Sequence, residues 1–269
     1  MQKQANSFNS FKRGRVNVIR EAREHLIIRN NLERRFAKRL DTLFKKFINV
    51  HMYLYRQYGV YEPDIAQGSL NEDLIPFVLT HYKRISRTIY EHNERLNNKK
   101  EAFVFGRSVD FERQVEQYFR TRQLVLAGIT NTMSKRIANE IVKLRAENLS
   151  IAEIARTIAE KYNRINLARA RTIARTETHN AASFASHQYH LQVETDLGSK
   201  VMKKWVATND ARTRPDHAEM NGKPAIPMNE DFIVGGVPMS YAGDPKGGAK
   251  NVINCRCVVI YVDEEDTIT

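Results

Sequence analysis

Leu167 to His190, LARARTIARTETHNAASFASHQYH, with Lys204-Trp-Val-Ala-Thr208 shortly after it, decides the fold class. The first stretch carries Ala168, Ala170, Ala174, Ala181, Ala182 and Ala185, a density that favours helix and lets helices approach closely. The second is a short β-branched and aromatic run, and past Gly198 such runs are punctuated by Gly, Pro, Asn and Asp. One chain thus holds an alanine-rich helix and a β-rich unit over residues 199–263, which predicts an α+β protein.

Upstream, Ser150-Ile-Ala-Glu153 has capping-box spacing and predicts a short helix from Ser150 to Tyr162, separate from the last helix that closes at His190. Before it, three-to-four-residue apolar steps predict helices from about Glu21 (Leu26, Ile27, Leu32, Phe36, Leu40, Leu43, Phe44, Phe47, Ile48), from Asn71 to Asn98, and from Asp110 to Asn148, the last broken near Gly128. Gly59, Pro63 and Gly68 predict a connector over Tyr58–Leu70. Downstream, Phe232-Ile-Val-Gly-Gly-Val-Pro238 reads as a hairpin on a Gly-Gly turn, Val252–Val262 as a closing strand, and Asp263–Asp266 as a frayed tail. The predicted organisation is a long basic helical region, 1–148, and a module, 149–269, whose helices (150–190) pack on the small β-rich part.

Charge is concentrated at the front. The 269 residues carry a net +12, and residues 1–60 alone hold 14 Lys+Arg against 4 Asp+Glu. Phe8–Arg20 reads as a basic arm, and Arg29, Arg34, Arg35, Lys38, Arg39, Lys45 and Lys46 fall opposite the apolar stripe of the first helix. This is either a solvated face or a surface for phosphate backbone, giving salt-sensitive binding without base readout. The residues predicted to meet DNA are Lys12, Arg13, Arg15, Arg34, Arg35, Lys38 and Arg39. No apolar run approaches the roughly 20 residues of a membrane span, so no membrane anchor is expected, and the start lacks the pattern of a secretory signal.

Two cysteines occur, Cys255 and Cys257, an i, i+2 pair too constrained for an ordinary disulfide. On a strand both would point to one face and Arg256 to the other. With His217 they make three donors, one short of a closed tetrahedral zinc site; Asp210, Asp216, His179 or water would supply the fourth. Buried structural thiols are the alternative, and the expectation is no metal and no cofactor, with His217, Cys255 and Cys257 as the donors to check. Glu177 falls on or beside the apolar stripe of its helix and must be paired or protonated there. The glycines spell no phosphate-binding loop.

From Ser150 to Val262 these pieces stand in a consistent order. Ala170-Arg-Thr-Ile-Ala-Arg-Thr-Glu177, Asn180-Ala-Ala, Lys204-Trp-Val-Ala-Thr and Asp210-Ala-Arg-Thr-Arg-Pro-Asp-His217 come first, followed by Asn221-Gly222, Gly243-Asp-Pro245 and Asn254-Cys-Arg-Cys257. The segment resembles the phage Mu F-like head morphogenesis proteins, the minor head or minor capsid proteins of tailed phages and prophages. Many members have Cys-x-x-Cys in the turn and His-Pro before the final Asn-Cys-Arg-Cys. Here Arg214, His217, Val252 and Ile253 stand at those positions. The resemblance implies that hydrogen bonds replace a metal, with Asp210 accepting turn amides and Arg212 or Arg256 pairing with Asp244 or Glu177.

It also implies a protein of the virion interior, near the portal vertex after assembly in host cytoplasm, acting in head morphogenesis and in DNA packaging or ejection. Its expected partners are the portal protein, packaged double-stranded DNA, and scaffold or major capsid protein. Glu177, Trp205, Asp210, His217, Cys255 and Cys257 are then structural residues of a non-enzymatic module. One alternative is a nucleic-acid hydrolase or toxin-like transferase using Glu177, His179 and His217, although the chain ends soon after Val262, where some relatives carry a fused effector domain. The other is a structural portal adaptor without DNA contact.

Overall fold

The computed structural model describes residues 15–96 and 109–269, so Lys12, Arg13 and most of the basic arm lie outside the described residues. A short strand β1 (Arg15–Val16) precedes four long helices, α1 (Val18–Tyr58), α2 (Pro63–Leu96), α3 (Val109–Ala146) and α4 (Ile151–Leu197). There follow β2 (Val201–Val206), α5 (Pro215–Ala218), β3 (Ile226–Pro227), β4 (Phe232–Val234), β5 (Val237–Met239), α6 (Gly248–Val252), β6 (Val258–Asp263) and β7 (Thr267–Ile268). The class is α+β, as the patterning predicts.

The helices are longer and less interrupted than expected. The connector shrinks to 59–62 because Pro63 opens α2 at its first position, where a missing N–H costs nothing. Gly68 and Gly128 are absorbed inside α2 and α3. The predicted short and last helices are one helix of 47 residues. Tyr162-Asn-Arg164 looked like a break, but no Gly or Pro stands there, and Ile154, Ile158, Tyr162, Asn166 and Ala170 form one buried stripe at four-residue steps. The capping box is present: Ser150 N donates to Glu153 Oε2 at 2.9 Å and Glu153 N to Ser150 Oγ at 3.3 Å.

The chain divides by its contacts into two units, each assembled from separated segments. One takes residues up to Asn31, Ile85–Ser108 and Thr176–Thr269; the other takes Leu32–Arg84 and Val109–Arg175. Position 148/149 falls in the loop between α3 and α4.

In the first unit β2 is the centre of an antiparallel sheet ordered β3-β2-β6, with Trp205 opposite Val259. The β4–β5 hairpin turns on Gly235 and Gly236 at φ +57° and +80°, the left-handed pair a tight hairpin turn demands. β1 pairs in parallel with β7, and Val16, Val18 and Ala22 pack on Val258, Ile260 and Val262. The tail expected to fray is therefore structured: Asp266 N donates to Asp263 O, and Asp263 N to Asp266 Oδ2.

In the second unit Phe36, Leu40, Phe44, Phe47 and Ile48 of α1 are buried as the periodicity predicts, together with Leu74, Val78 and Tyr82 of α2 and Phe119, Met133 and Ile137 of α3. Leu124, expected in the α3 stripe, is 83% exposed and Leu126 is buried instead. Ile27, expected on the buried side of α1 within the first unit, is 60% exposed.

Candidate functional site

The residues predicted to carry chemistry converge in the first unit. Cys255 and Cys257 are not on a strand: they occupy the turn between α6 and β6, where Asn254 at φ +59° redirects the backbone. Both thiols are buried even so, and His217, on α5, brings Nδ1 to 3.4 Å from Cys257 Sγ and 3.6 Å from Cys255 Sγ. Trp205 of β2 lies edge-on to His217 with ring centroids 5.6 Å apart, and to Phe232 at 5.3 Å. Below the trio stands His179 of α4, whose ring leaves no room for a side chain at Gly243: a Cβ there would meet Cδ2 and Nε2 at 2.8 Å.

Arg29 completes the cluster and was misplaced by sequence reasoning, which set it on the exposed cationic face. It is 6% exposed and donates to His179 Nδ1 at 2.5 Å, to Cys257 O at 3.0 Å and to Arg256 O at 2.7 Å. Its position within the helical period was the only available signal, because Glu21, Ala22, His25 and Arg29 share the buried edge of α1.

The two thiols face each other through a hydrogen bond. The hydrogen bond from Cys257 holds Cys255 well below the usual thiol range, aided by His179, and the same bond together with burial pushes Cys257 up. Burial pushes His179 down, against the pull of Cys255. For a metal, the donor atoms of His217, Cys255 and Cys257 lie within 4.8 Å of one another, a spacing and chemistry that suit three ligands of zinc. The candidate fourth ligands are engaged elsewhere. Asp210 binds Arg256, Asp216 lies 3.4 Å from Lys250 Nζ, and His179 Nδ1 faces Arg29. Water would have to close the shell.

Asp210 organises its turn as expected, accepting from Arg212 N at 3.0 Å and Thr213 Oγ1 at 3.3 Å. The expected partners of Arg256 are corrected: it forks onto both oxygens of Asp210, not onto Asp244 or Glu177. That hydrogen bond holds the Asp210 carboxyl well below the usual carboxylate range. Asp244 instead accepts from Ser240 N and Lys246 N. Glu177 is 2% exposed and His217 1% exposed, so neither is presented to solvent as a general acid or base of an open cleft would be.

The predicted DNA-contacting residues fall in both units. Arg15 is exposed on β1 in the first. In the second, Arg34, Arg35, Lys38 and Arg39 are all exposed along α1, and Arg39 lies over the Phe77 ring at 4.8 Å. Arg84 of α2, which the sequence did not single out, lines a small cavity with Arg35, Arg39 and Phe36. His81 stacks on Phe36 there at 3.7 Å, and burial with the charges of Arg84 and Arg39 pushes it down to about 3.

Comparison with known proteins bears on the segment that contains the Cys/His cluster. Residues 132–260 match the family described as Phage Mu protein F like protein. That segment is similar to the family. The Mu F-like match thus covers the end of α3, all of α4 and the β-rich part through Ile260. A minor head protein, GP7, of Bacillus phage SPP1 is 27% identical over 274 residues, covering 91% of this chain and 83% of its own. An NAD(+)--arginine ADP-ribosyltransferase, EFV, of Enterococcus faecalis (strain ATCC 700802 / V583) is 34% identical over 132 residues, 48% of this chain. This chain spans only 26% of that relative's length. No solved structure matches.

Proposed function

We propose that this Mu F-like protein is a minor head protein of a tailed phage or prophage that sits at the portal vertex inside the virion. There it would contact packaged double-stranded DNA without reading sequence. The family and the SPP1 relative support the minor head assignment. Portal, scaffold or major capsid partners, and action in assembly, packaging or ejection, are the finer parts of the proposal. Residues 149–269 would be the fastening module, built around Glu177, Trp205, Asp210, His217, Cys255 and Cys257, and residues 1–148 would carry the cations. No helix of the described residues is long and apolar enough to cross a membrane.

The observation that carries the DNA reading is the contrast along α1. Arg29 is sequestered, while Arg34, Arg35, Lys38 and Arg39 are exposed within two turns. Lys and Arg that displace condensed counterions give binding whose logarithm falls linearly with that of salt. The protein should bind random duplex DNA with an affinity that drops steeply between about 50 and 200 mM salt, and R34E/R35E/K38E/R39E should flatten the slope by roughly one for every phosphate no longer neutralised. Affinity that barely responds to salt would favour a portal adaptor meeting acidic protein. The ADP-ribosyltransferase relative keeps an enzymatic reading open, but buried Glu177 and His217 give it no accessible acid–base pair.

A further inference from the structure

Asn166 breaks an otherwise apolar stripe. It is 2% exposed on α4, between Tyr162 and Ala170, and its Nδ2 has no hydrogen-bond partner. The residue lines a cavity of about 690 Å³ between α3 and α4 in the second unit. Arg136, Arg169, Lys161 and Glu140 line it as well.

The charges of that wall do not balance. Glu140 is engaged by Lys161 Nζ at 2.6 Å. Arg169 spends one N–H on Ile129 O at 3.0 Å, and Arg136 has no carboxylate partner among the described residues. Burial and the charge of Arg136 both act to lower the Arg169 pKa, as two like charges beside one cavity must. Three cations against one carboxylate leave an excess of two positive charges at the mouth of a space the size of a small-molecule site.

We propose that this α3–α4 cavity is a binding site for a phosphate group carried by a small organic molecule, held by Arg136 and Arg169. A phosphate monoester carries close to two negative charges near neutral pH and offers three acceptor oxygens, which suits two guanidinium forks. A carboxylate brings one charge and two oxygens and would leave one arginine uncompensated. Tyr162, Ile165 and Ala168 give the remaining wall an apolar surface for the rest of the molecule. The site is independent of the α1 cations and of the Cys/His cluster.

Thermal unfolding and calorimetry of the full chain test it, with inorganic phosphate, adenosine 5′-monophosphate and glutamate as probes at matched ionic strength. Phosphate should raise the melting temperature saturably, the nucleotide should bind more tightly than phosphate, and glutamate should do neither. Arg136 is exposed, so R136E should fold and weaken nucleotide binding by about tenfold or more. R34E/R35E should leave binding intact. Absence of saturable binding below about 10 mM nucleotide, equal binding of glutamate, or full binding by R136E would each overturn the proposal.

Discussion

Arg29 of α1 donates to Nδ1 of His179 on α4 at 2.5 Å, joining residues 150 positions apart, and the same guanidinium caps the carbonyls of Arg256 and Cys257. One buried side chain thereby ties the basic front helix to the turn that carries both thiols. This fork needs a planar group with several fixed donors, which an ammonium does not have.

Removing the fork should be expensive. In Arg29→Met two carbonyls and an imidazole nitrogen lose their donor in a buried place, at about 1–3 kcal/mol each. Arg29→Met should therefore lose roughly 3 kcal/mol or more in urea unfolding, and Arg29→Lys should lose less because one or two acceptors can still be reached. A loss no larger than that of an exposed neighbour, Arg34→Met, would refute the structural role.

Three donors without a free fourth should hold zinc poorly. Elemental analysis of protein purified without chelator should find zinc well below one per chain, and a chelator should leave the melting temperature unchanged. Stoichiometric zinc whose removal lowers that temperature would mean that water closes the shell around His217, Cys255 and Cys257.

The Asp210–Arg256 pair lies partly in solvent, so its value is in the turn it shapes more than in charge attraction. Asp210→Asn keeps one amide acceptor but loses the two-oxygen fork. It should lower the melting temperature by a few degrees. Arg256→Gln should do much the same, and the double variant should be no worse than either single one. Additive losses would show that the two residues act separately.

Patterning recovered what depends on local period: the helical stretches, the capping box at Ser150 and the Gly-Gly hairpin. It failed where tertiary packing overrode local polarity. Asn166 falls between the two helices predicted there but fills a buried stripe position in one continuous α4. Arg29 reads as a surface cation because its acceptors come from residues more than 200 positions away. The cysteines read as strand residues because the left-handed turn at Asn254 has no signature in alternation. Pairing of β1 with β7 joins two-residue segments from opposite ends of the chain, too short for any periodic signal.

His81 provides an acid-side test of the packing beside the α1 cations. Stacked on Phe36 and flanked by Arg84 and Arg39, it has its pKa lowered from 6.5 to about 3, with burial the largest cause. Between those two values the unfolded chain takes up a proton that the folded chain refuses. Its contribution is therefore complete above pH 6.5 and is lost progressively as pH falls toward about 3. The full effect is at most on the order of 5 kcal/mol, and His187, also lowered to about 3, adds a parallel loss from the first unit. His81→Phe keeps a ring against Phe36 and removes the titration. Urea unfolding from neutral pH down to about pH 4 should show a steep stability loss in the parent protein and a visibly shallower one in His81→Phe, with His187 accounting for part of the remainder. Parallel curves would mean that His81 is protonated in the folded state despite its burial.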